Sequence, residues 1–569
     1  MNFGLRMDTN QKYILGISFG YHDSAVALLT NGKVLSAVEE ERFTGIKHDS
    51  SFPHHSIKWI TKEHNITVDD ISYVCFYENP TLKNDRNKSI YRKYWYKNLF
   101  GFKLKDKSFD DLKNYFPKAK VMIGNHHLSH LAYSYYTSPF KSSALLSVDG
   151  VGEWDTTVMA TGDDDGINTH QSIQYPHSLG MLYSTITAFL GFKPNEGEYK
   201  VMGLAPYGKE NLSLSSKFDS LITKKHGGYE LNLDYFSYHY SDDMMFSSSL
   251  SNLLGLPNRL PNEPIKQIHK DLALILQQKY EEVFFYLLRN LYVLTGSKNL
   301  CLGGGCAYNG TANGKIQNET EFENIWIPPA PSDAGSAIGA ALFLYYHLNP
   351  NSERIDNYTP FLGPSEKILD VVKVLQKNEK QIYFEALSEK QLLPKVAKLI
   401  SEGNIIGWVQ NKLEFGARAL GNRSILADPR DPQMKQRVNS VVKKREGFRP
   451  FAPMVTSNDM HKFFTPDIEI PYMNQIVKVQ IPYRSKLPAI THIDGSARVQ
   501  TLRRTMNPKM FNLLKEYEKI TKYPILLNTS FNLKDQTMVR DSQEAIDTFM
   551  NCDLDYLVID NLFISKKII

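Results

Sequence analysis

The sequence predicts an α/β protein of two domains. Three features carry that reading: short apolar runs that stop abruptly at Gly or Asp, one long segment with apolar residues at helical spacing, and a single polar stretch near residue 350 where the composition changes. A chain of 569 residues is long enough for at least two hydrophobic cores.

Taken in order, Tyr13–Ile17 and Ser24–Leu29 are apolar strands flanking a loop at Ser18–Asp23. A turn at Asn31-Gly32 then leads into Val34–Val38, which gives an N-terminal hairpin meander. Ala144–Val148 and Leu300–Leu302 are strands that end at Asp149-Gly150 and Gly303-Gly304-Gly305. Between them, Ile265–Tyr292 has the apolar periodicity of a helix packed against a sheet. Residues 349–353 and 357–364 are polar with Pro and Gly, which places a linker between a first domain, 1–350, and a second, 366–569. The second opens with a helix over Glu389–Glu402 and a strand over Ile405–Val409. No internal repeat is visible.

The composition, 42% hydrophobic, 22% charged and 12% aromatic, excludes collagen-like, disordered and coiled-coil classes. A net charge of +5 is too small over this length to indicate nucleic acid or membrane. Four scattered cysteines without a CxxC pair suit a reducing compartment. No signal-peptide core and no apolar run of membrane-spanning length occur, so a cytoplasmic location is expected. The basic, aromatic stretch Lys83–Lys107 reads either as a nucleic-acid surface or as a solvated insertion.

Three constellations can carry chemistry. In His126-His127-Leu128-Ser129-His130, a helix would put His126 and His130 on one face, where two imidazoles can hold one cation. Asp149 at a strand end and Asp333 just before a helix are the candidate further ligands. Such a set suits Fe(II), Mn or Zn with positions open to a substrate oxygen, unless both histidines are only hydrogen-bonded helix residues. The second constellation is glycine: Gly16–Gly20, Asp149–Gly152 and Gly303–Cys306 follow strands, where amides without Cβ neighbours can approach phosphate. The third is arginine among glycine and apolar residues: Phe415–Ser424, Lys443–Phe451, Arg498 and Asn528–Asn532. These suit specific anion forks, or else surface pairing with local carboxylates.

At these positions the sequence resembles the O-carbamoyltransferase family of the nodulation-factor and antibiotic type (NodU/CmcH-like). The resemblance runs over nearly the whole chain. It includes Tyr21-His22-Asp23-Ser24-Ala25, Val38-Glu39-Glu40-Glu41-Arg42-Phe43, Lys200–Gly208 and Pro331-Ser332-Asp333, together with the motifs above. It departs at Ala417, where the family has Pro, and at Asp535, where Gly is common.

The resemblance implies an actin-like first domain of the tRNA threonylcarbamoyl transferase type (ASKHA) and a YrdC-like α+β second domain. It implies that carbamoyl phosphate and ATP with Mg(2+) give carbamoyladenylate and pyrophosphate, and that the carbamoyl group then passes to an acceptor hydroxyl on a sugar or natural product. Fe(2+) or a similar divalent metal would be held by His126, His130, Asp149 and Asp333. Arg418, Lys443, Arg449, Arg498, Asn528 and Ser530 would bind carbamoyl phosphate and nucleotide, with Lys200 and Gly303, Gly304 and Gly305 also on the nucleotide. His22, beside Asp23, would be the general base, a neutral imidazole near pH 7 suiting that role, or else would only orient the acceptor. The expected partners are these substrates, with no nucleic acid, no membrane, and a homodimer left open. A tRNA-modifying threonylcarbamoyl transferase is the rival reading.

Overall fold

The computed structural model of the chain describes residues 12–92, 108–241, 244–354, 358–440 and 447–567. Lys443 and most of the basic 83–107 stretch lie outside them. Among the described residues no helix is long and apolar enough to cross a membrane.

The N-terminal meander forms as expected, with β1 (Tyr13–Ser18), β2 (Ala25–Thr30) and β3 (Lys33–Glu39). Asn31 and Gly32 both take positive φ, 48° and 75°, as a two-residue hairpin turn requires. On the other side of β1 lie β4 (Ile71–Phe76) and β5 (Lys120–Ile123), in parallel, giving the order β3-β2-β1-β4-β5.

A second sheet repeats this path. Strands β6 (Ser143–Gly152), β7 (Asp155–Asp163) and β8 (Gly166–Gln174) form an antiparallel meander. A separate hairpin, β9 (Ile222–Lys225) and β10 (Gly228–Leu231), comes next in the chain. Then β11 (Asn299–Gly303) and β12 (Asn324–Trp326) add in parallel on the far side of β6, giving β8-β7-β6-β11-β12. The duplication is that of an actin-like fold. It corrects the reading that the chain has no internal repeat: strands with different apolar side chains can follow one backbone path, so topology persists where sequence similarity does not.

Helix Gln267–Thr295 realises the long periodic segment. Helix Asp333–Leu348 packs on β1 and on helix His126–Tyr136. A Cβ at Gly339 would fall 1.8 Å from the Ser129 carbonyl oxygen, so glycine there lets the two helices approach at the level of His130.

The chain forms two compact units: Met1–Leu35 with Ile60–Tyr358, and Ser36–Trp59 with Thr359–Ile569. The sequence division at 350 and 366 contains no such excursion of residues 36–59. Hydrogen bonding accounts for it, since Ala37 N–H donates to the Leu362 carbonyl (3.2 Å) and Gly416 N–H to the side-chain Oε1 of Glu39 (2.7 Å).

The second unit is built on an eight-stranded mixed sheet. Its strands are β13 (Ile382–Ala386), β14 (Ile406–Val409), β15 (Arg423–Ala427), β16 (Ala452–Thr456), β20 (Gln500–Leu502), β21 (Ile525–Ser530), β22 (Tyr556–Ile559) and β23 (Leu562–Lys566), in the order β13-β23-β22-β14-β15-β21-β16-β20. A small sheet holds β17 (Phe464–Thr465), β18 (Ile476–Val479) and β19 (Ser496–Arg498). Both faces of the large sheet are covered. Leu526 joins a core with Leu392, Val396 and Leu513, while Ile525 and Leu527 join one with Val371, Ile546 and Phe549, as the period of two dictates.

Candidate metal centre and anion site

His126 and His130 share a face of helix His126–Tyr136, whose start is capped by the Asn125 side chain accepting from Leu128 N–H (2.9 Å). Asp149 lies within β6 rather than at its end. Pairing with β7 skips between Val148 and Gly152, and this bulge turns the carboxylate toward the helix. Asp333 opens helix Asp333–Leu348. All four residues are buried, and one ligand atom from each lies within 4.8 Å of every other.

Asp149 Oδ2 stands 2.8 Å from His126 Nε2 and 3.1 Å from His130 Nε2, and the two Nε2 atoms are 3.1 Å apart. Asp333 Oδ1 is 3.6 and 3.5 Å from the same nitrogens and has no hydrogen-bond partner although buried. Two imidazole nitrogens facing each other beside Asp149 Oδ2 and a bare Asp333 Oδ1 leave protons poorly placed to satisfy every atom, whereas one cation among them would satisfy all four. Donors of this kind, without thiolate, suit Fe(II), Mn or Zn. His130 Nδ1 is held by Ser336 Oγ (3.0 Å), which orients Nε2 inward.

Electrostatics follow the geometry. Burial works against ionised Asp149, but hydrogen bonds from His126 and His130 hold it well below the usual carboxylate range. For His126, burial opposes the charge and the carboxylates of Asp333, Asp149 and Glu78 outweigh it, raising its pKa well above 6.5. His127, between the two ligands, belongs to the scaffold. Its ring bonds Ser147 Oγ (2.8 Å) and the Asp155 carbonyl (2.9 Å), and burial with two neighbouring histidines lowers it to about 3.

His22 sits in the β1–β2 loop with Nδ1 3.1 Å from Asp23 Oδ2 and Nε2 3.8 Å from Asp333 Oδ2. The neutral imidazole expected near pH 7 does not hold for the metal-free chain. Burial disfavours the charge, yet Asp333 and the Asp23 bond raise His22 to about 10. Tyr77 donates to Asp333 Oδ2 (3.3 Å), and burial pushes its own hydroxyl well above 10.

Sequence reasoning missed the carboxylates behind this cluster. Glu153 accepts from Asn79 N–H (2.6 Å), Asn125 Nδ2 (2.9 Å) and His126 N–H (3.2 Å), stapling the helix start in place. Glu78 pairs with buried Lys83 (2.5 Å), and Arg86 donates to the Glu153 carbonyl (2.8 Å). Two charges of the basic stretch are therefore turned inward rather than offered to a polyanion. A lone Glu after Gly-Val-Gly carries no spacing signal that would have identified Glu153.

The glycine loop Gly303–Gly305 packs against the metal cluster. Gly305 N–H donates to Asp149 Oδ1 (3.1 Å), and Gly304, with φ 84°, lies so close that a Cβ would stand 2.3 Å from the Val148 carbonyl oxygen. Lys200, on helix Glu198–Leu204, has Nζ 5.9 Å from the Phe192 ring centroid.

In the second unit, register gathers the anion candidates. Strand β21 pairs antiparallel with β15 (Ser424 opposite Ser530) and with β16 (Ala452 opposite Asn528), and β16 pairs parallel with β20. The starts of β15, β16 and β20 and the end of β21 thus lie at one end of the sheet. Arg418, Arg449 and Arg498 just precede those three starts, and Asn528 and Ser530 close β21. Arg423 has a different role. It is 1% exposed and donates to the carbonyls of Gln410 (2.6 Å), Asn411 (3.2 Å) and Arg540 (3.3 Å), so its charge is committed to the scaffold. The Asn528 amide nitrogen is likewise committed, to Ala419 O (3.1 Å) and Gln500 Oε1 (3.0 Å), while its buried oxygen has no hydrogen-bond partner.

The chain belongs to the carbamoyltransferase family: residues 13–342 match the carbamoyltransferase N-terminus and 397–566 the carbamoyltransferase C-terminus. It is a carbamoyltransferase. It is 35% identical to nodulation protein NolNO of Sinorhizobium fredii over 96% of this chain and 79% of that protein. It is 37% identical to NolO of Bradyrhizobium diazoefficiens over 78% of this chain and 79% of that one, and 38% identical to an uncharacterised Synechocystis protein over 97% of both. Among solved structures, T. kodakarensis HypF aligns over 61% of this chain and 49% of its own, with 12% identity and a TM-score of 0.33.

Proposed function

We propose an ATP-dependent O-carbamoyltransferase that activates carbamoyl phosphate in the second, YrdC-like unit and transfers the carbamoyl group in the first. The observation that supports this is the register that brings Asn528 and Ser530 to the same sheet end as the starts of the three strands that Arg418, Arg449 and Arg498 precede in sequence. Carbamoyl phosphate and ATP are both anionic, and bringing them together needs converging fixed cations. Asn528 has only its oxygen left to offer, an acceptor suited to a carbamoyl N–H₂ and not to phosphate. Atom balance requires both orthophosphate and pyrophosphate to leave as carbamoyladenylate forms, with water supplying the oxygen that cleaves carbamoyl phosphate.

In the first unit, His126, His130, Asp149 and Asp333 would hold the metal. When bound, a dication offsets the field of the carboxylates and offers a positive centre to a substrate oxygen. His22 then takes the proton of the acceptor hydroxyl at Nε2, with Nδ1–H held by Asp23, as the hydroxyl oxygen attacks the carbamoyl carbon and AMP leaves. Gly303–Gly305 and Lys200 serve the nucleotide in this unit, and the acceptor is a sugar or natural-product alcohol.

The test is pyrophosphate release from ATP and carbamoyl phosphate by the parent, Arg449→Ala and His130→Ala. Release that depends on carbamoyl phosphate, lost in Arg449→Ala and kept in His130→Ala, assigns the two half-reactions to their units. No release by the parent ends the proposal.

A further inference from the structure

The motif Val38–Phe43 is not used by the chemistry above, yet all four of its charges, Glu39, Glu40, Glu41 and Arg42, are buried or half-buried in the second unit. Glu39 is 5% exposed and Arg42 4%. Glu39 Oε1 accepts from Gly416 N–H (2.7 Å), and Arg42 Nη2 donates to the Gly416 carbonyl (2.9 Å), so both backbone groups of one residue are taken. Arg42 is itself fixed by Glu39 (3.3 and 3.4 Å) and by Glu41 (3.0 Å).

Gly416 is the near end of the loop that carries Arg418. The far end is held as firmly. Glu414, fully buried, accepts on Oε1 from Leu420 N–H (2.8 Å), Asn422 N–H (2.8 Å) and Arg423 N–H (3.1 Å). Gln500 Nε2 donates to the Leu420 carbonyl (3.0 Å), Asn528 Nδ2 to that of Ala419 (3.1 Å), and Trp408 Nε1 to that of Gly421 (3.1 Å). Stability alone does not call for two buried carboxylates and a guanidinium spent on the amides and carbonyls of an eight-residue loop. Burying them is expensive unless every bond is made. Such an outlay is explained if the residue at the centre of the loop must be held to within a fraction of an ångström.

We propose that Glu39 and Arg42, with Glu414, are positioning residues that preorganise Arg418 for the anionic donor. The motif near the N-terminus then belongs functionally to the donor-binding unit, although more than 370 residues of sequence separate Glu39 from Gly416. This inference rests on the proposed reading of Arg418 as a ligand of carbamoyl phosphate.

The experiment measures pyrophosphate release by the full-length, metal-loaded protein against carbamoyl phosphate concentration. It compares the parent, Arg418→Ala, Glu39→Ala, Glu39→Gln and Arg42→Lys, with thermal midpoint and metal content recorded for each. In Glu39→Ala, KM for carbamoyl phosphate should rise about 10-fold while kcat stays within about 2-fold. Glu39→Gln, which keeps an acceptor for Gly416 N–H, should recover most of that loss, and metal content should not change. A residue with only a structural role would lower the folded fraction and hence apparent kcat, leaving KM alone. If Glu39→Ala does not fold, Arg42→Lys decides, because it keeps a positive charge beside Glu39 but cannot span Glu39 and Gly416 together. Folded variants with parental KM overturn the inference while Arg418→Ala still raises KM. An unchanged KM in Arg418→Ala overturns the reading of Arg418 and the inference with it.

Discussion

Replacing Asp333 by Asn tests the metal centre with little change of shape. The amide keeps an acceptor for the Tyr77 hydroxyl and the volume of the side chain, and removes one charge at the point where Oδ1 stands 3.5 and 3.6 Å from the two histidine nitrogens. Losing an outer partner of a metal ligand typically costs 10- to 100-fold in affinity, so losing a charged ligand should cost more than about 100-fold, or roughly 2.7 kcal/mol. Ser336→Ala, which removes only the bond to His130 Nδ1 (3.0 Å), should fall in the lower range, near 10-fold.

The assay is competition of Mn(II), Zn(II) and Fe(II) against a chromophoric chelator, with thermal midpoints taken in EDTA. Without metal, Asp333→Asn should be less stable than the parent at neutral pH, because attraction to His22 and His126 outweighs burial and the Asp149 repulsion and holds the Asp333 carboxyl below its usual range. Equal affinity in the parent and Asp333→Asn would refute the ligand set. A folded parent that binds none of these ions at one per chain would refute the centre itself.

Metal uptake at pH 7 should release about one proton or more, since His126 is held charged by Asp333 and its neighbours and must be neutral to ligate; calorimetry in buffers of different ionisation enthalpy reads the number. The metal-free protein should lose stability on acidification through His127. The unfolded chain takes that proton below about pH 6.5 and the folded one only near 3, so the contribution is full above 6.5 and falls by about 1.4 kcal/mol per unit below it, roughly 2 kcal/mol by pH 5. Denaturant titrations should find this slope in the parent and not in His127→Asn. Arg423→Met should lower stability by about 3–5 kcal/mol, because buried carbonyls of Gln410, Asn411 and Arg540 lose their donor, which a shift of the denaturant midpoint reads.

What could be read from sequence divides along a physical line. A candidate metal ligand announces itself because few residue types can do its work and helix geometry fixes their spacing, as with His126 and His130, and the apolar runs of β1, β6 and β11 show where strands must bury. Asp149 and Asp333 were legible as candidates because strand ends and helix starts point side chains into clefts. The bulge that aims Asp149 was not, since a register shift against β7 depends on a partner strand. Arg418 and Arg423 differ by five positions in one motif, and nothing local distinguishes the arginine at a loop's centre from the one consumed by carbonyls.

The same line explains why the supporting carboxylates stayed hidden. Glu39, Glu153 and Glu414 each bond backbone N–H groups. Any carboxylate that can reach an amide can do that, so the residue type carries no information until the fold brings its partner near. A chain of nearly neutral total charge therefore contains two distinct arrangements of buried charge. In the first unit, carboxylates raise the pKa of His126 and His22, so binding of a cation at His126 should be coupled to proton release. In the second unit, buried carboxylates bond main-chain amides and guanidinium groups bond main-chain carbonyls, which fixes the loop around Arg418. Mutations in the first set should therefore appear in pH and metal dependence, and mutations in the second in donor affinity.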